Sequence, residues 1–411
     1  MIVVGFHRHR RGRDENQGMR TPFTHCLLKS RNTIEKFLGG FSGKDFDWRG
    51  EKESTQASVT SYIQYCEADM YLLLFVLFRV VTAADPVEVF MKGDNVTGDP
   101  RFYYCFRIPQ LLVLPTGTLL AFAEGRADGC RPDVNRNRPI VVRASHDEGK
   151  TWGPIRIAGP ALPSVGTNYP GAFVRDNSTV VLRYGLSNGS VFSTESNDEG
   201  QTWSTPIEAS QPAGVRCGSA WPKPFGNNVV MACAGGSARS SDGGRTWQVS
   251  SKKVSLDPNV TGLGESMVTA DGRSNQSLSM FIRAGSHNGW LTHAIAQSDD
   301  MGDTWGPARL LPIVGATCEG SIGRDTSAPP GQVLLASVSG RVPFRLGRGN
   351  MSVWILDTAA AGSEPVSRLQ VWPNAAGYSD FAQAKSGAML LLFEGGGSVY
   401  DYGIKLSPIV I

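Results

Sequence analysis

One octapeptide pattern, S-x-D-x-G-x-T-W, occurs four times in this chain: Ser145–Trp152, Ser196–Trp203, Ser240–Trp247 and Ser298–Trp305. Each residue type in it suits a tight hairpin. Ser and Asp side chains hydrogen-bond nearby backbone amides, Gly supplies a positive φ, and Trp plugs the turn onto the core. The four tryptophans follow one another at steps of 51, 44 and 58 residues, and steps of that size suit one four-stranded propeller blade each. Length alone would suggest two or three domains, but the repeat overrides that expectation. Residues 85–411 are enough for six blades of roughly 54 residues each. Around Val353 to Trp372 the box is replaced by Leu356-Asp-Thr-Ala-Ala-Ala-Gly-Ser363, a degenerate copy of the kind expected near a ring closure. Short apolar runs such as Thr179–Leu182, Val229–Met231 and Val333–Ala336 alternate with turn residues drawn from 48 Gly and 24 Pro. The expected fold is therefore all-β, a six-bladed β-propeller. The boxes themselves are expected to be structural, since a turn-stabilising motif need not touch a ligand.

The 40 basic and 37 acidic residues leave a formal net charge of +3, which gives no electrostatic reason to expect nucleic acid as a partner. No cluster of His, Cys, Asp and Glu has a convincing metal-ligand spacing, and neither a metal nor another cofactor is expected.

The first 84 residues read differently. They carry a basic opening from His7 to Arg13, no box and no clear period, then the apolar run Met70–Phe78, Arg79, and Val80-Val-Thr-Ala-Ala84. That run is too short to span a membrane, and small residues follow it as they follow the core of a secretory signal. The expected organisation is a non-native or disordered extension over 1–69, a signal-peptide-like segment over 70–84 and the propeller over 85–411. The alternative for 70–81 is a buried strand of an ordered extension. Sequons at Asn95, Asn177, Asn188, Asn259, Asn275 and Asn350 point to the secretory pathway, with an extracellular or lysosome-like destination. Cysteine points the same way: Cys105 and Cys130, and Cys217 and Cys233, are close enough to bridge neighbouring strands, leaving Cys318 free, although buried thiols are the alternative.

Phe106-Arg107-Ile108-Pro109 stands ahead of the first box and is followed by Gly117–Arg126, ending Ala-Glu-Gly-Arg. With four boxes behind it, this segment resembles the sialidases of the bacterial and animal type, over residues 86–411. The resemblance implies that Arg107 is the first of three arginines gripping the carboxylate of a terminal sialic acid. Arg283, after Ser279-Met-Phe-Ile282, matches the second. Arg348, opening Arg-Gly-Asn-Met-Ser-Val353, matches the third, with Arg341 and Arg345 as competitors. Guanidinium suits the task because it offers paired, charge-assisted hydrogen bonds to a carboxylate.

The same resemblance makes Tyr378, in Gly-Tyr-Ser-Asp380, the nucleophile, and Glu265, in Gly264-Glu-Ser266, the base that activates it. A neutral phenol escapes the repulsion that a carboxylate nucleophile would meet from the substrate's own carboxylate, but with an ordinary pKa of about 10 it needs a base. Asp133, in Cys130-Arg-Pro-Asp-Val-Asn-Arg136, matches the acid that protonates the leaving oxygen and then activates water, and Asp128 is its rival. Glu394 matches a carboxylate bracing the first arginine, and Arg126 a further site arginine. The implied function is a retaining exo-α-sialidase acting on glycoproteins, gangliosides or sialylated oligosaccharides. The alternatives are a trans-sialidase, which the short stretch after Glu394 disfavours because it leaves no room for a lectin-like domain, and a catalytically silent propeller that binds glycans or proteins.

Overall fold

The computed structural model describes residues 58–60, 79–83, 85–130, 138–160, 167–186, 188–210, 222–233, 235–256, 260–286, 291–314, 318–339, 348–360, 362, 364–397 and 403–410. The chain divides into two units, Met1–Gln56 and Ala57–Ile411, and every described residue lies in the second. Its elements are all strands, in six small sheets.

Blade I comprises Cys105–Val113, Leu119–Arg126, Ile140–Ser145 and Arg156–Gly159, and blade II Thr167–Arg175, Thr179–Leu186, Val191–Ser196 and Ile207–Glu208. Blade III comprises Lys223–Phe225, Asn228–Cys233, Gly236–Ser240 and Gln248–Val249. Blade IV comprises Val260–Ala270, Leu278–Ser286, Leu291–Ser298 and Pro307–Val314, with Ser255–Leu256 added in parallel. Blade V comprises Ser321–Gly323, Gln332–Ser339, Gly349–Asp357 and Ser367–Trp372. Blade VI takes Ala375–Gln383, Met389–Gly396 and Gly403–Val410, and its outer strand is Val87–Phe90, from the start of the propeller. That pairing closes the ring with backbone hydrogen bonds, joining the first residues of the propeller to its last blade.

All four boxes occupy the turn between the third and fourth strands of blades I to IV. In the first, Ser145 Oγ donates to Asp147 Oδ1 at 2.8 Å and accepts from Gly149 N at 2.8 Å. Asp147 also takes the Thr151 amide at 2.9 Å, and Trp152 Nε1 donates to the Gly149 carbonyl at 3.1 Å. Two consecutive residues are left-handed in each box, Glu148 and Gly149 in the first (φ 59° and 87°). The second of the pair is glycine in every box, and the first is glycine only in the third, at Gly243. Gly149 also presses against Leu406 of blade VI so closely that a Cβ there would collide. Gly244 packs in the same way on Phe173 of blade II, and Gly200 packs less tightly on Leu120 of blade I. The boxes thus join each blade to its predecessor. In blade V the substitute Leu356–Ser363 stretch falls at the equivalent turn.

The core runs between blades, and Trp152, Trp203, Trp247 and Trp305 each pack against one of its clusters. Polar side chains cross-link the inner strands around the axis. Gln110 of blade I pairs with both backbone groups of Ala172 in blade II. Lys223 of blade III reaches the buried Asp380 of blade VI at 2.6 Å, while Asp380 also accepts the Leu111 amide at 3.0 Å.

Cys105 and Cys130 form a disulfide, Cys233 is disulfide-bonded, and Cys318 is a buried free thiol. Cys217 lies outside the described residues. So do most of the 1–69 extension and the run Met70–Phe78. At the end of the signal-like segment, Arg79–Ala83 is a strand that pairs with Ser58–Thr60 and, through Thr82 and Ala83, with Val410 and Ile409.

Candidate active site

The innermost strands of blades I, II, IV and VI share one irregularity. In each, three residues on the inner strand span two on its neighbour: Arg107 to Gln110, Asn168 to Gly171, Leu263 to Ser266 and Ala376 to Ser379. A one-residue bulge of this kind interrupts the ladder and re-aims a side chain. Arg107 borders the first bulge, and Tyr169, Glu265 and Tyr378 sit within the other three. Ile108 and Tyr169 adopt positive φ (58° and 51°), a conformation that costs a non-glycine residue energy and that the surrounding contacts must hold. In blade VI the bulge uses Gly377, where a Cβ would run into the Glu394 carboxylate.

Three of the sequence-assigned arginines converge with the tyrosine. The Tyr378 hydroxyl donates to Glu265 Oε1, and the other carboxylate oxygen of Glu265 takes Arg283 Nη1 at 2.5 Å. The guanidinium carbons of Arg107 and Arg348 stand 5.4 and 5.8 Å from the centre of the Tyr378 ring, within the range of cation–π attraction. Arg283 comes from the second strand of blade IV, and Arg348 from the residue preceding the third strand of blade V. Burial pushes the Tyr378 phenol well above its ordinary pKa, with Tyr169 and Glu265 adding to the effect. In the resting protein it is a neutral phenol, 5% exposed.

Glu394 is the hub beneath this cluster. One oxygen accepts Arg107 Nε at 3.1 Å and the Ile108 amide at 2.8 Å; the other accepts Arg107 Nη2 at 3.2 Å and the Tyr378 amide at 3.1 Å. Burial opposes the charge on Arg107, but the Glu394 carboxylate outweighs it and keeps the guanidinium firmly protonated. Two of the four bulges therefore lean on one carboxylate.

Arg126 is almost fully buried. It bonds Glu124 Oε2 at 2.7 and 3.1 Å and the Cys130 carbonyl at 3.2 Å, so it ties blade I to the segment that leads to Asp133. Asp133 itself lies outside the described residues, as do Arg341 and Arg345. The rival acid, Asp128, is ion-paired at 2.8 Å with the fully buried Arg138.

Sequence reasoning missed three members of the site. Tyr169 donates its hydroxyl to the same Glu265 oxygen as Tyr378, at 3.1 Å, and its amide bonds Glu124 Oε1 at 3.1 Å. Glu124 was visible only as the first letter of an E-x-R segment. Glu319, fully buried just before the inner strand of blade V, accepts the Ser379 amide at 3.1 Å. Neither Tyr169 nor Glu319 has a local motif to announce it. No group of three or more His, Cys, Asp or Glu among the described residues could hold a metal ion. All the site groups gather at one end of the ring, and the boxes lie at the other: Arg107 pairs with Glu124 at the near end of blade I, Leu119 with Ser145 at the far end.

No family model matches the chain. It is similar to a sialidase of Clostridium perfringens, 24% identical over 328 residues covering 66% of this chain and 79% of that one. A sialidase of Micromonospora viridifaciens is 30% identical over 213 residues, 49% of this chain and 28% of that one. These relatives support a sialidase family. Among solved structures, the K499G mutant of NanB sialidase from Streptococcus pneumoniae superimposes with a TM-score of 0.64 at 13% identity, over 79% of this chain and 70% of that one. At such low identity this likeness concerns the fold.

Proposed function

We propose that the protein is a retaining exo-α-sialidase with a tyrosine nucleophile. The observation that carries this reading is the convergence of Arg107, Arg283 and Arg348 on a buried tyrosine whose hydroxyl donates to Glu265. Three guanidinium groups at the mouth of an otherwise nearly neutral propeller suit a ligand bearing a carboxylate beside its reacting carbon, and a terminal sialic acid has that chemistry. In the first step Tyr378 oxygen attacks the anomeric carbon as the bond to the aglycone breaks. Its proton passes to Glu265, while Asp133, assigned from sequence, protonates the departing oxygen. In the second step Asp133 takes a proton from water, the water oxygen displaces Tyr378 from the anomeric carbon, and Glu265 returns the proton to the phenolate. Arg107 and Arg348 beside the ring stabilise the phenolate character that develops.

A fluorogenic α-sialoside tests the activity, and a 3-fluorosialosyl fluoride tests the mechanism by trapping the glycosyl-enzyme. Labelling should map to Tyr378 and vanish in Tyr378→Phe. An adduct on Asp133 or Glu265 overturns the mechanism, and no release of sialic acid from any α-sialoside overturns the function. Offering lactose as acceptor separates transfer from hydrolysis by the product formed.

The secretory reading rests on the sequons, of which Asn95, Asn177, Asn188 and Asn275 are exposed. Protein from a secretory host should start near Asp85 and shrink on enzymatic deglycosylation. A cytosolic, unglycosylated product beginning at Met1 would reject it.

A further inference from the structure

Most buried carboxylates of the described ring have a cation beside them. Glu394 has Arg107, Glu124 has Arg126, Asp380 has Lys223 and Asp271 has Arg273. Glu319 is the exception. Its side chain is fully buried, no ammonium or guanidinium among the described residues pairs with it, and its Oε1 has no hydrogen-bond partner there. Its Oε2 accepts the amide of Ser379, the residue after Tyr378.

The charged groups facing Glu319 are the wrong sign to hold an anion. Burial raises its proton affinity most; the Ser379 amide bond works against this, but Glu265 from blade IV and Asp380 and Glu394 from blade VI add to it, so the carboxyl sits well above the usual range. His293 stands beside the next residue, its Nε2 2.9 Å from where a Cβ on Gly320 would stand. Burial lowers that imidazole to about 4, so it is neutral and supplies no balancing charge. The neighbouring Cys318 thiol is pushed up to about 12, chiefly by burial, and is neutral too. An unpaired buried carboxylate in such surroundings takes up a proton rather than bear the desolvation cost.

Resting on the reading of Tyr378 as nucleophile, we propose that Glu319 is its positioning residue: a neutral carboxylic acid whose carbonyl oxygen holds the bulge of blade VI from the blade V side. Two consecutive amides at the bulge bond to side-chain carboxyl groups instead of to backbone. Glu394 takes the Tyr378 amide and Glu319 takes the Ser379 amide, so the direction of the phenol is clamped from both sides. Ser321 and Ser379 join the same two blades through their hydroxyls at 2.7 Å. The division of labour is electrostatic. Glu394 must be charged because it neutralises Arg107, whereas Glu319 must be neutral because a second negative charge near Glu265 would oppose phenolate formation at Tyr378.

The test compares Glu319→Gln with Glu319→Ala in the full chain. A Gln carbonyl can replace the acid's carbonyl toward Ser379, so Glu319→Gln should keep kcat and KM on a fluorogenic sialoside within about twofold at neutral pH. It should also extend the alkaline limb of the kcat profile, because the group whose ionisation harms the wild type is gone. Glu319→Ala should lower kcat about tenfold or more with KM little changed. Hydrogen exchange at the Ser379 amide should stay slow in wild type and Glu319→Gln and become fast in Glu319→Ala. The infrared difference between wild type and Glu319→Gln should show the loss of a protonated carboxyl band at neutral pH. A loss of kcat in Glu319→Gln as deep as in Glu319→Ala, an unmoved alkaline limb, unchanged exchange in Glu319→Ala, or no protonated band would each overturn the proposal. Exchange and infrared need no turnover, so they decide it even if the wild type cleaves no sialoside, a result that would defeat the functional reading alone.

Discussion

Glu394→Gln offers the sharpest prediction, because the substitution keeps shape and removes only charge and one acceptor. All four groups touching Glu394 are donors: Arg107 Nε and Nη2 and the amides of Ile108 and Tyr378. Glutamine presents one oxygen and one NH2 group. Whichever way it turns, one guanidinium nitrogen and one backbone amide face a donor instead of an acceptor. A buried donor left unsatisfied costs about 1–3 kcal/mol, and removing one partner of a buried ion pair costs about 3–5 kcal/mol. The two figures describe overlapping losses, so the expected destabilisation is about 4 kcal/mol. At about 2–4 °C per kcal/mol for large domains, the melting temperature should fall by roughly 10 °C. Calorimetry on the full chain measures it, and activity should fall too, since both Arg107 and the Tyr378 bulge lose their anchor. A melting temperature within about 2 °C of wild type would refute the reasoning: it would mean that Arg107 and the two backbone amides are stabilised without the Glu394 carboxylate.

Arg107→Lys keeps the charge but cannot make paired bonds to a carboxylate, so kcat/KM should fall by the equivalent of about 1.5–3 kcal/mol; near-normal kinetics would remove Arg107 from the site. The box aspartates govern acid stability. In Asp147, hydrogen bonds led by that from the Thr151 hydroxyl lower the carboxyl to about 2. A depressed pKa stabilises the fold above the unfolded value of about 3.9 and loses that effect as pH falls toward the folded one. The melting temperature of wild type should therefore drop between about pH 4 and pH 2, and Asp147→Asn, already weaker at neutral pH, should drop less across that window. Replacing both Cys105 and Cys130 by Ser, which opens a bridge of sequence separation 25, should lower stability by about 3 kcal/mol, read from urea denaturation midpoints.

How far the sequence could be read depended on how far apart the interacting residues lie. Each box is closed by bonds two to four residues apart, such as Ser145 to Asp147 and Thr151 to Asp147. Such turns carry their own instructions, and four of them at blade spacing were enough to determine an all-β, six-bladed ring. The positions of Arg107, Arg283, Arg348, Tyr378, Glu265 and Glu394 were legible through their local resemblance to sialidase segments, not through any physical pattern connecting them. What only the tertiary structure decided is how they meet. Arg107 and Glu394 are 287 residues apart, Tyr378 and Glu265 are 113 apart, and Tyr169 and Glu265 are 96 apart. Their encounter depends on Val87–Phe90 closing the ring against the last blade and on a bulge recurring in four inner strands. Neither leaves a local signature, because a bulge is a mismatch between two strands and a closure is a pairing between two ends. Tyr169 and Glu319 escaped notice for the same reason: their neighbours come from other blades, and the ring alone makes them part of the site.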